Sequence, residues 1–349
     1  MERKKTRVIK VGDVLIGGDN PISVQSMTNT ITKDINTTVN QIKRLEEAGC
    51  DIIRSAVSDF EDAKAISEIK KHINIPIIAD IQYDYKLALE SVKYGIDGLR
   101  INPGNIGSVD KVKEVVKACK ENNLSIRIGV NSGSIKQEFL DKYKGVNEDS
   151  MVYSALEQIR LLEDLDFHDI KISLKASNVP LTIRAYDKMS QIVDYPLHLG
   201  ITEAGPLWRG TIKSSVGIGT LLYMGIGDTI RISLTGDPVE EVKAGREILK
   251  SLGLRREGIE LISCPTCGRT NIDLIEIVKE AEKRLEKINK HIKIAIMGCA
   301  VNGPGEAREA DIGIAGGKGE GLIFVKGKII KKVKEENLLD ELIYEIERL

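Results

Sequence analysis

The sequence predicts an α/β protein, a TIM (β/α)8 barrel followed by a smaller α+β domain. Two observations carry this prediction. Short apolar segments recur at regular intervals through most of the chain, and segments with the apolar spacing of helices lie between them. Strands that alternate with helices in this way over roughly 250 residues are typical of the barrel, whose parallel strands are buried on both faces and read as apolar runs.

The predicted barrel domain spans residues 1–257. It opens with Val8–Ile16, where Gly12 and Asp13 indicate the turn of a hairpin that caps the bottom of the barrel. Helical spacing is seen, for example, at Val39, Ile42 and Leu45. The eight predicted strands are Ser23–Met27, Asp51–Val57, Ile75–Ile81, Gly98–Asn102, Ser125–Val130, Asp169–Lys175, Pro196–Thr202 and Thr229–Leu234.

A different pattern over residues 258–349 predicts the separate α+β domain. Its predicted elements are a charged helix at Ile272–Ile288, strands at Ile292–Met297, Asp311–Ala315 and Leu322–Val325, a Lys-rich strand within Lys326–Lys334 and a closing helix. The Gly316–Gly321 run is interpreted as a hairpin turn rather than a phosphate cradle, because no helix follows it directly. The Lys-rich segment is interpreted as a protected edge strand.

Composition restricts the class of protein. The chain has 349 residues, of which 42% are hydrophobic and 30% charged, as in a globular protein. Its 51 basic and 52 acidic residues argue against nucleic acid or an anionic membrane as the main partner. No apolar run approaches the roughly 18 residues of a membrane span, and the five cysteines are too few for a disulfide framework. We therefore expect a soluble cytoplasmic protein.

Polar residues lie at or near the carboxyl ends of most of the predicted strands, where barrel enzymes assemble their sites. They are Arg54, Asp80, Arg100, Asn102, Arg127, Asn131, Lys171, Lys175, Glu203 and Arg231. Several cations in one pocket imply an anion, and the guanidinium fork matches phosphate oxygens two at a time, so a diphosphate would suit such a set. Taken singly, each of these residues could instead form a structural ion pair.

Asp80 and Glu203 are the acids best placed for proton transfer, because burial and nearby cations can tune a carboxyl pKa. Each could equally orient an arginine. The four histidines, His72, His168, His198 and His291, form no compact set, and His198 is interpreted as a core or pocket-wall residue.

Three cysteines and a glutamate, Cys264, Cys267, Cys299 and Glu306, have the pattern of an iron–sulfur site with one carboxylate ligand, because thiolates are the soft donors that such clusters select. Zinc is the main competitor. It would require another Cys or His near Cys299, where the following residues offer only Asn302 and Glu306. Cys50 and Cys119 are interpreted as small apolar packing residues.

The chain resembles the IspG/GcpE family, 4-hydroxy-3-methylbut-2-enyl diphosphate synthase of the non-mevalonate isoprenoid pathway, essentially from end to end and in its short two-domain bacterial form. The segments that carry the resemblance are Gln25–Thr28, Leu99–Asn105, Arg127–Asn131, Ser173–Ser177, Thr202–Gly205, Cys264–Gly268 and Val301–Glu306.

The resemblance implies an oxidoreductase that opens the ring of 2-C-methyl-D-erythritol 2,4-cyclodiphosphate by reductive dehydration. Two electrons from ferredoxin or flavodoxin would pass through a [4Fe–4S] cluster held by Cys264, Cys267, Cys299 and Glu306. The diphosphate-binding positions fall on Arg54, Arg100, Asn102, Arg127, Asn131 and Lys175, and the acidic pair on Asp80 and Glu203. The family also implies a homodimer in which the cluster domain of one chain closes over the barrel of the other.

Some positions differ from the family pattern. Gln82 stands where a histidine is usual, so no histidine role is transferred to it, and Arg54–Ser58 and Gly205–Gly210 are atypical. We expect activity to survive, with an altered rate. Two other classes stay open from the residues alone: a phosphate-binding barrel of the pteroate-synthase or aldolase type with a structural zinc knuckle, and a non-enzymatic iron or redox sensor.

Overall fold

The fold was analysed in a computed structural model of the chain, which describes residues 2–285, 288, 290–299 and 308–349. It divides into two compact units, Met1–Arg255 and Arg256–Leu349. In the part of the chain that the structure describes, no helix is long and apolar enough to cross a membrane.

The first unit begins with the predicted hairpin. Strand β1 (Ile9–Val11) pairs antiparallel with β2 (Val14–Ile16), and Gly12 adopts a φ of 55° in the turn between them. Ile9 and Ile16 pack against Ile52 and Ile78 near the starts of two barrel strands. The hairpin therefore covers the amino-terminal end of the barrel, as predicted.

The eight-stranded parallel sheet of the first unit confirms the predicted barrel. Its strands are β3 (Ser23–Met27), β4 (Ile52–Ala56), β5 (Ile77–Asp80), β6 (Gly98–Ile101), β7 (Ser125–Asn131), β8 (Ile170–Lys175), β9 (His198–Leu199) and β10 (Thr229–Ile230). They lie in the order β8-β7-β6-β5-β4-β3-β10-β9, and a bridge between Ile172 and Leu197 joins the two ends. The sheet is thus closed into a barrel.

Helices cover the outside of this barrel. They are α1 (Ile35–Glu47), α2 (Phe60–Lys70), α3 (Tyr85–Lys93), α4 (Pro103–Ile106), α5 (Val109–Glu121), α6 (Gln137–Lys142), α7 (Glu148–Glu163), α8 (Val179–Ile192), α9 (Leu207–Tyr223) and α10 (Pro238–Ser251). Several begin at an Asp or Asn whose side chain accepts a backbone N–H of the first turn, as Asp59 does for α2 and Asn178 for α8. The helices and the outward faces of the strands share one apolar core.

The second unit is a mixed five-stranded sheet with helices on it. Its elements are β11 (Ile259–Ser263), α11 (Leu274–Leu285), β12 (Ile292–Met297), β13 (Ile312–Gly316), β14 (Glu320–Val325), β15 (Lys328–Lys334) and α12 (Leu338–Arg348). Strands β11, β12 and β13 run parallel, whereas β14 and β15 are added antiparallel. The two helices pack on one face of the sheet around Ile294, Ile296 and Ile314.

Two predictions for the second unit are confirmed and one element was missed. Gly317 to Gly319 form the turn between β13 and β14, and the Lys-rich strand β15 lies at the edge of the sheet. Strand β11, which leads directly into Cys264, was not predicted.

Candidate active site

One row of the barrel interior carries four charged side chains on adjacent strands. Asp80, Arg100, Arg127 and Lys171 are register partners across β5, β6, β7 and β8. Because side chains alternate along a strand, the residues between these positions point outwards into the apolar core instead. The strand period thus places several charges inside the barrel.

Asp80 lies between two arginines. Its Oδ2 is 3.5 Å from Arg54 Nε, and its Oδ1 accepts a hydrogen bond of 3.1 Å from Arg100 Nη1. Burial opposes ionisation of this carboxyl group, but the charges of Arg54, Arg100 and Arg127 outweigh it and lower the Asp80 pKa. Asp80 is therefore an anion at neutral pH. Of the two roles considered from the sequence, this favours orienting an arginine over donating a proton.

The cations outnumber this carboxylate, and the pKa values of two of the arginines are lowered. Burial, opposed by Asp80 and reinforced by Arg231 and Arg100, lowers the pKa of Arg54 to about 9. Burial, followed by the charges of Arg54 and Arg100, holds the pKa of Arg127 well below its usual value. Nε and Nη1 of Arg127 are buried without a hydrogen-bond partner among the described residues. A buried, unpartnered guanidinium is costly, so this arrangement favours an anionic ligand.

Lys175 ends strand β8 beside the arginines and is buried. Its Nζ lies 3.3 Å from Nε2 of His198 on β9. Burial, followed by the charges of Arg127 and Arg231, holds the Lys175 pKa well below its usual value. A Cβ on Gly200 would lie 2.5 Å from this Nζ, so only glycine leaves room for the ammonium group.

Arg231 follows β10 and contacts a second acid. Its Nη2 lies 3.8 Å from Oε2 of Glu241, a residue of α10. The Glu241 carboxylate also accepts the Leu234 N–H at 2.9 Å, and burial raises its pKa against the opposing charge of Arg231. The charge of Arg231 also lowers the pKa values of Arg54 and Arg127, so Arg231 lies near these two cations.

The remaining predicted site residues lie around this group. Asn102 is buried directly after β6, and Asn131 ends β7, where its Cα pairs with that of Lys175. Glu203 lies in the segment between β9 and α9 with a φ of 52°, and its side chain is exposed. In the described residues Glu203 makes no hydrogen bond or ion pair, so the structure does not bring it against Asp80.

Lys171 lies deeper than expected for a strand-end residue. It is the second residue of β8, and its side chain is 1% exposed with no partner for Nζ within the described residues. Burial, followed by the charge of Arg127, lowers its pKa to about 7. Lys171 and Lys175 face the same way along the strand, as predicted, but only Lys175 is at the carboxyl end.

Three cysteines lie at or near the carboxyl ends of the parallel strands in the second unit. The parallel strands β11 and β12 end side by side, with Ser263 paired to Ile296; Cys264 directly follows the first strand and Cys299 comes shortly after the second. The Gly298 N–H donates to Cys264 Sγ at 3.2 Å. Cys267 is exposed, and a hydrogen bond from the Arg269 N–H lowers its thiol pKa.

This donor set fits an iron–sulfur group by its chemistry. Thiols at the ends of parallel strands, one of which already accepts a backbone N–H, are the soft and polarised ligands that iron–sulfur clusters take. Within the described residues no three Cys, His, Asp or Glu side chains are close enough to hold a metal ion. The fourth predicted ligand, Glu306, lies outside the described residues.

The other two cysteines pack as predicted. Cys50 and Cys119 are 4% and 0% exposed, and burial raises the pKa of each thiol to about 12. Such thiols are neutral at physiological pH, which suits apolar packing and not ligation.

Sequence reasoning missed two contacts of the cationic residues. Met27 Sδ accepts hydrogen bonds from Arg54 Nε and Nη2 at 3.3 and 2.9 Å. His198 is a pocket-wall residue, as interpreted, but its contact with Lys175 was not foreseen. The signal was the alternation His198, Leu199, Gly200, which places the imidazole and the glycine on the inward face of β9.

Two family models match the chain, the GcpE TIM-barrel domain over residues 6–246 and the GcpE protein C-terminal domain over residues 260–348. Relatives named 4-hydroxy-3-methylbut-2-en-1-yl diphosphate synthase (flavodoxin) are similar over full length. The relative from Clostridium acetobutylicum is 64% identical and that from Clostridium perfringens 65%, each with 100% of both chains covered. The relative from Caldanaerobacter subterraneus is 65% identical over 99% of this chain and 98% of its own.

More distant solved structures share only the fold. A type I 3-dehydroquinate dehydratase from Clostridium difficile matches with a TM-score of 0.53 and 15% identity, over 71% of this chain and 98% of that one. A dihydropteroate synthase from Yersinia pestis matches with a TM-score of 0.51 and 11% identity, over 70% and 98%. At such identities nothing follows about activity. The two family models and the full-length relatives show that this chain belongs to the GcpE family.

Proposed function

We propose that this chain is an iron–sulfur oxidoreductase that reduces 2-C-methyl-D-erythritol 2,4-cyclodiphosphate to 4-hydroxy-3-methylbut-2-enyl diphosphate, opening the ring with loss of water. The name shared by its relatives supplies the product and the electron donor, flavodoxin. The single observation that carries the proposal on this chain is the buried excess of positive charge inside the barrel, in which two nitrogens of Arg127 have no hydrogen-bond partner among the described residues.

The diphosphate would be held by Arg54, Arg100, Arg127 and Lys175. Three of these cations are buried and Arg100 is partly buried, so a doubly charged ligand would satisfy donors that have no partner among the described residues. Asp80 fixes two of the guanidinium groups in advance through contacts of 3.5 and 3.1 Å. The guanidinium groups would thus already be in position before the diphosphate binds, and they would not have to rearrange when it does.

Asn102 and Asn131 are proposed to complete the substrate site. Both follow cationic positions on the same strands, Arg100 on β6 and Arg127 on β7, at the carboxyl ends. Their amides could donate to phosphate oxygens or accept from the hydroxyl groups of the sugar-derived part, contacts that a purely cationic pocket could not offer.

Reductive dehydration needs a proton for the hydroxyl group that leaves as water. Asp80 is ionised beside two arginines, so it would orient and not donate. Glu203 is the proposed donor; it lies after β9, on the carboxyl side of the barrel, where its exposed side chain can exchange protons with water.

Electron delivery would use the second unit. Cys264, Cys267, Cys299 and Glu306 would hold a [4Fe–4S] cluster, which when bound supplies electrons from reduced flavodoxin. The Gly298 N–H that donates to Cys264 Sγ would stabilise the thiolate form of this ligand. The proposed chemistry is then divided between the units: cations would bind the substrate in the barrel, and thiols would hold the redox group in the second unit.

We also propose that the chain is a cytoplasmic homodimer in which the cluster unit of one chain serves the barrel of the other. Family resemblance supports this assembly. Size-exclusion chromatography with light scattering would give about twice the mass of the chain, whereas a monomer that is fully active would contradict the dimer.

The activity is tested with protein purified without oxygen and reconstituted with iron and sulfide. Reduced flavodoxin and the cyclodiphosphate are added, and the ring-opened product is measured by ³¹P NMR. We expect turnover in the wild type and at least a hundredfold loss for Arg127→Met, because this change removes a buried guanidinium with two nitrogens that have no partner among the described residues. Arg184→Met, which changes an exposed arginine on α8, is the matched control and should keep full activity.

Two outcomes would contradict the proposal. One is stoichiometric zinc with no iron in protein never exposed to air, which would favour a structural zinc knuckle. The other is a fully loaded iron–sulfur protein that binds no cyclodiphosphate, which would favour a redox sensor.

A further inference from the structure

His198 is buried inside the barrel wall and makes two side-chain contacts. Its side chain is fully buried, with Nε2 3.3 Å from Lys175 Nζ and Nδ1 2.7 Å from Thr229 Oγ1. Thr229 lies on β10 and Lys175 on β8, so the imidazole links the two strands that flank β9 in the closed barrel.

The partners determine which ring nitrogen carries the hydrogen. When Lys175 carries its ammonium charge, as it would beside a bound diphosphate, the group has only donors, so His198 Nε2 must accept from it. Nδ1 then carries the hydrogen and donates to Thr229 Oγ1. Burial, and after it the charges of Lys175 and Arg127, hold the His198 pKa well below its usual value, so the ring stays neutral and keeps this acceptor.

The backbone of His198 is fixed as firmly as its side chain. The buried Tyr186 hydroxyl on α8 donates a hydrogen bond to the His198 carbonyl oxygen and accepts the Leu174 N–H at 3.0 Å. On the next inward position, Gly200 leaves the space that Lys175 Nζ occupies. Ring, carbonyl and glycine thus define one location for the ammonium group.

We propose that His198 is a positioning residue for substrate binding: its Nε2 accepts a hydrogen bond from Lys175 and holds that ammonium group toward the diphosphate, and Thr229 accepts the hydrogen that Nδ1 carries in this tautomer. The inference rests on the proposed function, because it assigns Lys175 to the diphosphate. It differs from a packing role, since an apolar side chain of similar volume would fill the space but leave Lys175 without its acceptor.

Binding of inorganic pyrophosphate to the reconstituted holoenzyme, measured by calorimetry, tests the acceptor directly. A hydrogen bond from a charged group is worth about 1.5 to 3 kcal/mol, so His198→Leu should weaken binding about tenfold to a hundredfold. His198→Gln, whose amide oxygen can reach the position of Nε2, should stay within about threefold of wild type. Thr229→Val should lie between them.

The coupling between His198 and Lys175 is tested by a double-mutant cycle. If His198 acts through Lys175, adding His198→Leu to Lys175→Met should cost little further affinity. Additive losses would overturn the proposal, as would unchanged binding in His198→Leu or equal losses in His198→Gln and His198→Leu. His168→Leu, which changes a half-exposed histidine, is the control and should bind as wild type does.

The tautomer of His198 can also be measured on the wild-type protein, so this test does not depend on whether a variant folds. In ¹⁵N NMR, His198 should be neutral with the hydrogen on Nδ1, and the opposite tautomer would overturn the proposal. The proposed function fails separately: holoenzyme that binds pyrophosphate through Lys175 and His198 but forms no ring-opened product would contradict the activity and leave the positioning role intact.

Discussion

At the scale of single residues, the charged group inside the barrel depends on one acid, Asp80, which lies among several cations. Asp80 contacts Arg54 and Arg100, and its charge also raises the pKa of Arg127, which lies one strand beyond Arg100. Without it, three buried guanidinium groups would repel one another at close range. Asp80 therefore supports the fold of the mouth as well as the proposed site.

Asp80→Asn should lower the free energy of unfolding by about 3 kcal/mol at pH 7, because it leaves buried charges uncompensated. The folded-state pKa of Asp80 is lowered, so its stabilisation is present above the unfolded value of about 3.9 and is lost as pH falls through the folded value. Urea unfolding at pH 7 and pH 3 should show the gap between variant and wild type narrowing in acid. A constant gap would contradict this, and Asp110→Asn, at an exposed position, is the control.

Lys171→Met should raise stability by about 3 kcal/mol at pH 7 in the absence of ligand. Lys171 has a pKa of about 7 in the folded chain, against roughly 10.4 when unfolded, so between these values the unfolded chain binds a proton that the folded chain does not. The free energy of unfolding of the wild type should therefore rise with pH between these two pKa values. The difference in this free energy between Lys171→Met and the wild type should shrink toward pH 10. Urea unfolding of both proteins at pH 7 and pH 10 measures this difference.

The control for this prediction is Lys117→Met on the exposed face of α5, which should show no such pH dependence. A Lys171→Met variant that is less stable than wild type at pH 7 would show that Lys171 has a compensating partner inside the barrel.

The charged positions of the site could be predicted from the sequence, but their contacts could not. Inward positions follow from the period of two, so Arg100 and Lys175 were identified from their strands alone. The contact of Lys175 with His198 depends on the closure of the barrel between β8 and β9, which brings together residues far apart in the chain. Glu203 is exposed and has a positive φ, and no local sequence pattern indicated either feature.

At the scale of secondary structure elements, close approaches between strands depend on glycine. Gly313 lies in the middle of β13, where an added Cβ would be 2.3 Å from the Ala295 carbonyl oxygen and 2.5 Å from the ring of Phe324. Neither the neighbouring strand β12 nor the ring can withdraw without breaking the packing on that face of the sheet.

Gly313→Ala should therefore destabilise the second unit by about 2 kcal/mol through overpacking. Gly219→Ala is the matched control: it lies inside α9 with no heavy atom within 4 Å of the added Cβ, and it should stabilise by about 0.5 to 1 kcal/mol. Thermal unfolding of the two variants should give shifts of opposite sign, and equal shifts would contradict the prediction.

Element boundaries were predictable where strands are long and apolar. Ser23–Met27 and Ile292–Met297 match their predicted bounds, whereas β9 and β10 are paired over only two residues each. Gly200 directly follows the first of these strands and Arg231 directly follows the second. Strand β11 escaped prediction because it lies at an edge of its sheet, half-exposed, and lacks the apolar run of a central strand.

At the scale of the whole molecule, the chain has separate apolar cores in its two units. The barrel unit has a continuous core around its strands, and the second unit has its own core between sheet and helices. Each unit therefore has the means to fold cooperatively, and a ligand bound by one should stabilise that one first. The thiols are on the second unit and the cations on the first.

Calorimetry of oxygen-free protein should accordingly resolve two unfolding transitions. Removing the proposed iron–sulfur group with a chelator should lower the midpoint of the transition that belongs to Arg256–Leu349, because metal binding is linked to the folding of the unit that supplies the ligands. Pyrophosphate should raise the other midpoint. Cys264→Ser should mimic chelation, and Cys119→Ser, in the barrel core, should shift only the barrel transition. A single transition that moves as a whole with either ligand would show that the two units unfold as one.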